Sequence, residues 1–337
     1  MSKTLLIEDK RSGYSMKRYI AHLKQIQEFD FSVIAVSNSF LPLYIPVFKY
    51  LVLPLKILFS SEQSILIPTE GYSYLLWFWR GKKSIVVCHD LHDLMNRNVP
   101  FYHKCFIRFI LSGLVKANYI VSVSKHTQQD LLKYKPKLNK NKMQVIHNTI
   151  ENHWFNLTDK LKIDEHFKQS LPNSYAFMVG TNAWYKNNDW GLKVIKELNV
   201  TLVKVGALSN NQIDYLNTHE VSYMHLQNLS EVELKYLYAK ASFLFFPSIH
   251  EGFGWPVLEA MALKCPVICS DKASIPEIGG DHVLYVDLKS IEASVLSIKS
   301  YLKDKEQIKN DQEMNYMRAK TFRFNRFRKS YVELLAQ

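Results

Sequence analysis

Residues 246–270 read FPSIHEGFGWPVLEAMALKCPVICS, and the order of residue types in them calls for strand, tight loop, helix and strand. The apolar run ending at Phe246 suits a buried parallel strand. Gly252 and Gly254 let backbone approach a ligand closely, and Pro256 fits the first turn of a helix expected to run to about Lys264. A helix start of this kind offers unpaired N–H groups to a phosphate. Glu251 lies in the loop and Glu259 stands eight residues later on the helix. The two carboxylates can therefore meet different parts of one ligand, each accepting hydrogen bonds from vicinal hydroxyls. A solvated helix face would carry two glutamates at the same spacing.

Outward from this stretch, short apolar runs alternate with amphipathic segments of helical length, the pattern of parallel βαβ units. The first series of expected strands is Thr4–Ile7, Phe31–Val36, Ser64–Ile67, Ser84–Cys88, Tyr119–Val123 and Gln144–His147. The second is Tyr175–Val179, Val200–Val205, Ser222–His225, Ser242–Phe246, Pro266–Cys269 and Val283–Val286. Two successive α/β sheets follow, joined through the polar stretch Asn156–Asn173. A chain of 337 residues agrees with two domains at ~150 residues each. With 47% hydrophobic and 22% charged residues, composition excludes a disordered, collagen-like or coiled-coil chain.

Cys88, Cys105, Cys265 and Cys269 lack paired CxxC spacing, which speaks against a disulfide framework or zinc ribbon and for a reducing cytoplasm. Glu8 and Asp9 follow the first apolar run too soon for a signal peptide. The net charge of +12 is unevenly placed: residues 1–170 hold 24 basic and 13 acidic side chains, residues 171–337 hold 19 and 18. A basic first half suits a polyanionic partner, an anionic membrane surface or a nucleic acid, although a lysine-rich solvated surface would look the same. No recognisable nucleic-acid motif accompanies the charge, so no nucleic-acid partner is expected. Phe40–Phe59 is mostly apolar and long enough to cross a bilayer. Pro42, Pro46 and Pro54 are expected to break a helix there, and Lys49 and Lys56 oppose a span. The segment reads either as interfacial or as buried in the first domain.

The 246–270 stretch closely resembles the E-x7-E signature of glycosyltransferase family 4, retaining enzymes of the GT-B fold, and SIPEIGGDHVLYVD (274–287) resembles its usual continuation. The resemblance implies two Rossmann-like α/β domains facing across a cleft: an acceptor domain over 1–160 with 318–337, and a donor domain over 161–317. The last helix would cross back onto the first domain. By the same resemblance Glu251 contacts the donor sugar, while Gly252, Phe253, Gly254 and the amides near Val257 and Leu258 hold sugar and pyrophosphate. Glu259 binds the ribose. MVGTNAWYKNNDWGL (178–192) resembles the loop that presents a basic residue to the diphosphate. Lys186 takes that role, with Thr181, Asn182 and Asn187 around it. The arginine that family members often carry just before this lysine is missing, so backbone amides with Asn187, or a basic residue elsewhere, must substitute.

SIVVCHDLHDL (84–94) ends a strand at His89 and Asp90, and carboxyl ends of parallel strands are where ligands bind. The resemblance places His89 at the sugar pocket. His89, Asp90, His92 and Asp93 can also be read as metal ligands, without a further cluster of metal spacing behind them. Lys10–Gly13 resembles the family's glycine loop, which puts Gly13 near the donor; an ordinary turn into a helix over Tyr14–Glu28 would look alike. Ser124 and Asn148 read as pocket residues or as caps and turn formers.

The implied reaction moves a hexose from a GDP- or UDP-sugar to a glycan or lipid-linked glycan, with retention. The departing diphosphate would itself accept the acceptor's proton, and domain closure would exclude water. The chain contains no Asp-x-Asp, and neither a metal nor another cofactor is expected. The setting implied is cell-surface polysaccharide assembly, in the cytoplasm and at the inner face of the cytoplasmic membrane. An inactive sugar-nucleotide-binding or scaffolding subunit is the alternative.

Overall fold

The computed structural model describes residues 3–36, 44–92, 100–156 and 163–336. The chain forms two units, Met1–Thr149 with Asn325–Gln337, and Ile150–Phe324. The first unit runs β1 (Thr4–Asp9), α1 (Tyr14–Lys24), β2 (Phe31–Val36), α2 (Leu53–Leu58), β3 (Ser64–Ile67), β4 (Lys83–Cys88), α3 (Phe101–Ile110), β5 (Tyr119–Ser122), α4 (Lys125–Tyr134) and β6 (Met143–Val145). Its sheet is parallel throughout, in the order β2-β1-β3-β4-β5-β6. Leu5, Ile7, Ile65, Ile67, Val86 and Cys88 pack into one core with the helices, as continuous apolar strands buried on both faces must.

The second unit runs β7 (Ala176–Val179), α5 (Asn188–Leu198), β8 (Leu202–Val205), α6 (Asn210–Thr218), β9 (Tyr223–Leu226), α7 (Glu231–Lys240), β10 (Phe243–Phe246), α8 (Trp255–Ala262), β11 (Val267–Ser270), β12 (Leu284–Val286), α9 (Ile291–Lys303) and α10 (Lys305–Ala319). Its parallel order β12-β11-β10-β7-β8-β9 has its switch point at β7 and β10, between the two directions of winding. That pair carries the loops read above as the donor site, and a switch point is where open sheets bind ligands.

The closing helix α11 (Phe324–Ala336) belongs to the first unit. The Tyr19 and Tyr331 hydroxyls share a hydrogen bond, Lys83 Nζ donates to the Leu335 carbonyl at 2.6 Å, and the Phe327 ring stands edge-on to Tyr19. The division between units falls at Thr149/Ile150 and Phe324/Asn325 rather than at 160/161 and 317/318. The reason lies in the packing of 150–155. Ile150 donates to the Phe322 carbonyl, and the buried Trp154 ring stands edge-on to Tyr238 of α7.

Prolines do not break the apolar segment as expected. Tyr44–Val47 is helical, Phe48–Val52 is a π-helical turn, and α2 continues from it. Pro54 falls in the first turn of α2, where no intrahelical N–H is required of it, and the wider π turn relieves the chain just before. Pro42 lies outside the described residues. Phe48, Leu53, Pro54 and Ile57 are buried against the first unit, whereas Val47, Leu51, Leu55 and Phe59 are exposed. No helix among the described residues is long and apolar enough to cross a membrane.

Candidate functional site

The second unit brings two of the expected donor residues into direct contact. Lys186 closes a one-turn helix after β7, and Glu251 lies in the loop after β10. Their Nζ and Oε1 are 2.7 Å apart, with little of either side chain exposed. Two cross-links hold the loops in place: the Ile249 amide donates to the Tyr185 carbonyl at 2.8 Å, and Asn187 Nδ2 donates to the Pro247 carbonyl at 3.2 Å. Asn187 adopts a left-handed conformation (φ 55°), which asparagine tolerates better than most residues. That kink turns the chain into α5 and leaves the lysine pointing back at Glu251.

The glutamate loop has a support that the sequence reading did not single out. The buried Ser274 hydroxyl lies 2.9 Å from both the Glu251 and the Phe253 carbonyl oxygens. Phe253 itself is buried, edge-on to Trp255 and Phe322, so its ring belongs to the core and not to a ligand. Gly254 caps α8 with φ 106°, a conformation that only glycine adopts readily. The amides of Val257 and Leu258 are not presented to a ligand as expected. Both donate to the Gly254 carbonyl, at 3.1 and 3.3 Å, because the first turn of α8 is already closed there. Their side chains are fully buried. Glu259 is buried on α8 and accepts from the Tyr238 hydroxyl at 2.9 Å.

Asn182 turns toward the helices: its Oδ1 accepts from Asn188 Nδ2 and Gln212 Nε2, at 3.2 and 2.8 Å. Thr181 contributes its carbonyl to Asn188. Beside this network opens a cavity of about 450 Å³, lined by Asn182, Trp184, Asp189, Ser209 and Gln212 among others.

Gly13 and His89 belong to the first unit. Gly13 caps α1 with an ordinary φ of −63° and open space where a Cβ would stand, so nothing there demands glycine. His89 follows β4; its Nε2 lies 2.9 Å from the Pro68 carbonyl, which must accept, so Nε2 carries the proton. Burial brings its pKa down to about 4 against the opposing pull of Asp90, and the ring is neutral at pH 7. That hydrogen bond turns Nε2 away from a shared metal with Asp90 and His92, which lie 3.5 Å from each other; Asp93 lies outside the described residues. At the end of β1 in the same unit, Asp9 accepts from Arg11 and Tyr72, both at 2.6 Å. Burial pushes the Asp9 carboxyl up, and these hydrogen bonds outweigh it and hold the carboxyl below its usual range. Ser124 caps α4 through Thr127, and Asn148 is buried.

Residues 160–320 match the family model of glycosyl transferases group 1. The O-antigen chain mannosyltransferase RfbU of Salmonella typhimurium is 29% identical over 273 residues, covering 71% of this chain and 73% of that protein. The structure of Alr3699/HepE from Anabaena in complex with UDP-glucose is similar over 100% of both chains, with a TM-score of 0.78 at 15% identity. WaaG, a glycosyltransferase involved in lipopolysaccharide biosynthesis, is similar over 98% of this chain and 99% of its own, with a TM-score of 0.73 at 12% identity.

Proposed function

We infer that this chain, which has a GT-B fold and a match to group 1 glycosyltransferases over its second unit, is a retaining mannosyltransferase of the GT4 type that acts in cell-surface polysaccharide biosynthesis and needs no metal. The mannosyltransferase relatives support mannose as the sugar, which makes GDP-mannose the proposed donor, with a UDP-hexose as the competing candidate. The observation that carries the reading is the contact between Lys186 and Glu251. A cation and a carboxylate held together in a little-exposed loop pair suit a ligand with a diphosphate at one end and sugar hydroxyls at the other.

Binding would exchange this internal ion pair for two external ones. Lys186 moves to the diphosphate oxygens and Glu251 accepts from sugar hydroxyls. As the anomeric C–O bond breaks, negative charge grows on the departing diphosphate. Lys186 stabilises that charge in place of a divalent ion. The acceptor oxygen attacks from the face the diphosphate leaves, and the diphosphate takes its proton, so no side chain needs to act as nucleophile and configuration is retained. His89, neutral with Nε2 committed to Pro68, offers Nδ1 as an acceptor for a hydroxyl.

The lipid-linked or membrane-proximal acceptor is supported by one face of the first unit. Helix α3 buries none of its residues, yet Phe101 and Tyr102 are 76% and 75% exposed, with Phe106 and Phe109 beside them. The Tyr50 ring, from the π turn, meets Phe106 at 5.7 Å. This joins α3 to the exposed row Val47, Leu51, Leu55 and Phe59. Residues 44–58 and 101–116 together hold five basic side chains and no acidic one. Aromatic and aliphatic residues ringed by lysine and arginine are what an anionic bilayer surface accepts.

The test is thermal denaturation of the purified protein with GDP, UDP and their hexose conjugates, with and without EDTA, followed by transfer assays with the conjugate that binds. A rise of several degrees with GDP or GDP-mannose, unchanged by EDTA, is expected. A rise that EDTA abolishes overturns the metal-free mechanism. No rise with any nucleotide favours the non-catalytic scaffolding subunit.

A further inference from the structure

Lys204 lies on β8, an interior strand next to the sheet edge, and is 1% exposed, where an apolar residue would ordinarily stand. It has no carboxylate partner among the described residues. Its Nζ donates to the carbonyls of Gly180 and Val205, at 2.7 and 2.8 Å. His225 is its register neighbour on β9, and His225 Nε2 lies 2.7 Å from the Gly206 carbonyl. Two basic side chains on adjacent strands thus reach along the sheet to the glycines that end β7 and β8.

Those glycines have φ of 128° and 96°, and a Cβ on Gly206 would stand 2.3 Å from the Gly180 oxygen. The two strand ends are pinched together. In a planar trans peptide the C=O and the following N–H point in opposite directions. Drawing the Gly180 and Gly206 carbonyls inward therefore turns the Thr181 and Ala207 amides outward, at the carboxyl edge of the sheet. No hydrogen bond from either amide occurs among the described residues. Lys186 approaches the same spot: a Cβ on Gly180 would lie 3.8 Å from its Nζ. Two ammonium groups on one glycine repel each other, an arrangement that makes sense around an anion.

Resting on the transferase reading, we propose that Lys204 is a positioning residue for the donor's diphosphate: with His225 it sets the Thr181 and Ala207 amides toward the phosphates, and it adds a second buried positive charge to that of Lys186. Burial, and then the charge of Lys186, lower the pKa of Lys204 to about 7. Of its surroundings, β9 offers His225, β7 offers the uncharged Met178, and the 184–186 turn offers Lys186 with its partner Glu251. An arriving diphosphate favours the ammonium form, so binding takes up a proton above pH 7. Nucleotide affinity should accordingly fall as pH rises from 7 to 8.5.

The experiment is calorimetric titration of GDP and of UDP into the full chain at pH 7 and pH 8.5, each in two buffers of different ionisation enthalpy. Wild type, Lys204→Met and Lys204→Arg are compared, with melting temperatures recorded. Lys204→Met should bind the preferred nucleotide about 10- to 100-fold more weakly, as expected for loss of one charged contact. It should melt at or above the wild-type temperature, since a buried charge has gone. It should show no proton uptake at pH 8.5, and Lys204→Arg should keep most of the affinity. Unchanged affinity in Lys204→Met overturns the assignment. Should that variant not fold, the wild type decides alone: binding without proton uptake at pH 8.5 overturns it equally. If wild type binds neither nucleotide, the transferase reading itself falls and takes this one with it.

Discussion

The Lys186–Glu251 pair is where sequence and chemistry meet at the scale of single residues. Each side chain neutralises the other, and neither is free to wander, because Asn187 and Ile249 tie the two loops to each other. Lys186→Ala and Glu251→Gln should each lower transfer by ~100-fold or more, the effect of losing one preorganised electrostatic contact. Circular dichroism should show both folded, with Lys186→Ala melting lower because it strands a carboxylate that is mostly buried. Unchanged turnover in both would remove the site assignment. Lys186, Glu251 and Gly254 can be singled out in the sequence because each sits in a short contiguous motif. Lys204, His225 and Ser274 cannot: their contacts come from strand register and from the return of the 274 turn onto the 251 loop, which no local spacing encodes. At Val257 and Leu258 the converse holds, since a helix start can be recognised in sequence but not which of its amides the first turn consumes.

Elements were read more easily than sites. All twelve runs proposed as strands are strands, within one or two residues at their ends, because a parallel sheet buried on both faces must be written in continuous apolar runs. The segment at 44–58 defeated that reading. Prolines argue against helix only where their missing N–H and bulky ring fall inside regular turns, and here they fall at starts and beside a π turn. Helix α8 shows the opposite case, an element whose beginning is fixed by one residue. Gly254 holds φ 106° at its cap with only Ile278 near the position of a Cβ, at 4.0 Å. Strain alone, not a clash, therefore penalises a side chain there. Gly254→Ala should destabilise the protein by ~1–2 kcal/mol in urea denaturation. It should also weaken nucleotide binding, because Glu251 and the start of α8 would shift together. A variant as stable as wild type would show that the cap can relax without this conformation.

Charge divides the whole molecule along its two units. The unit containing Met1–Thr149 and Asn325–Gln337 holds 24 basic and 10 acidic residues, and Ile150–Phe324 holds 19 and 21. An enzyme drawn to nucleotide sugars through its basic surface would need the excess on the unit that holds Lys186, the proposed donor side. The excess lies instead on the unit that carries the exposed aromatic helix α3 and the apolar row of 47–59, so the proposed membrane contact would combine electrostatic attraction with insertion on one body. Two contributions should then be separable in vesicle co-sedimentation. Anionic phospholipid should be required, and binding should weaken as salt shortens the Debye length from ~30 Å at 0.01 M to ~8 Å at 0.15 M. Phe101→Ser with Tyr102→Ser should lower the residual binding that persists in salt by about 10-fold, as loss of buried apolar area predicts, while leaving transfer to a soluble acceptor unchanged. Binding indifferent to both lipid charge and salt would show that the basic excess only keeps the protein soluble. Salt-sensitive binding indifferent to the aromatic pair would leave a purely electrostatic contact and return α3 to the ordinary surface.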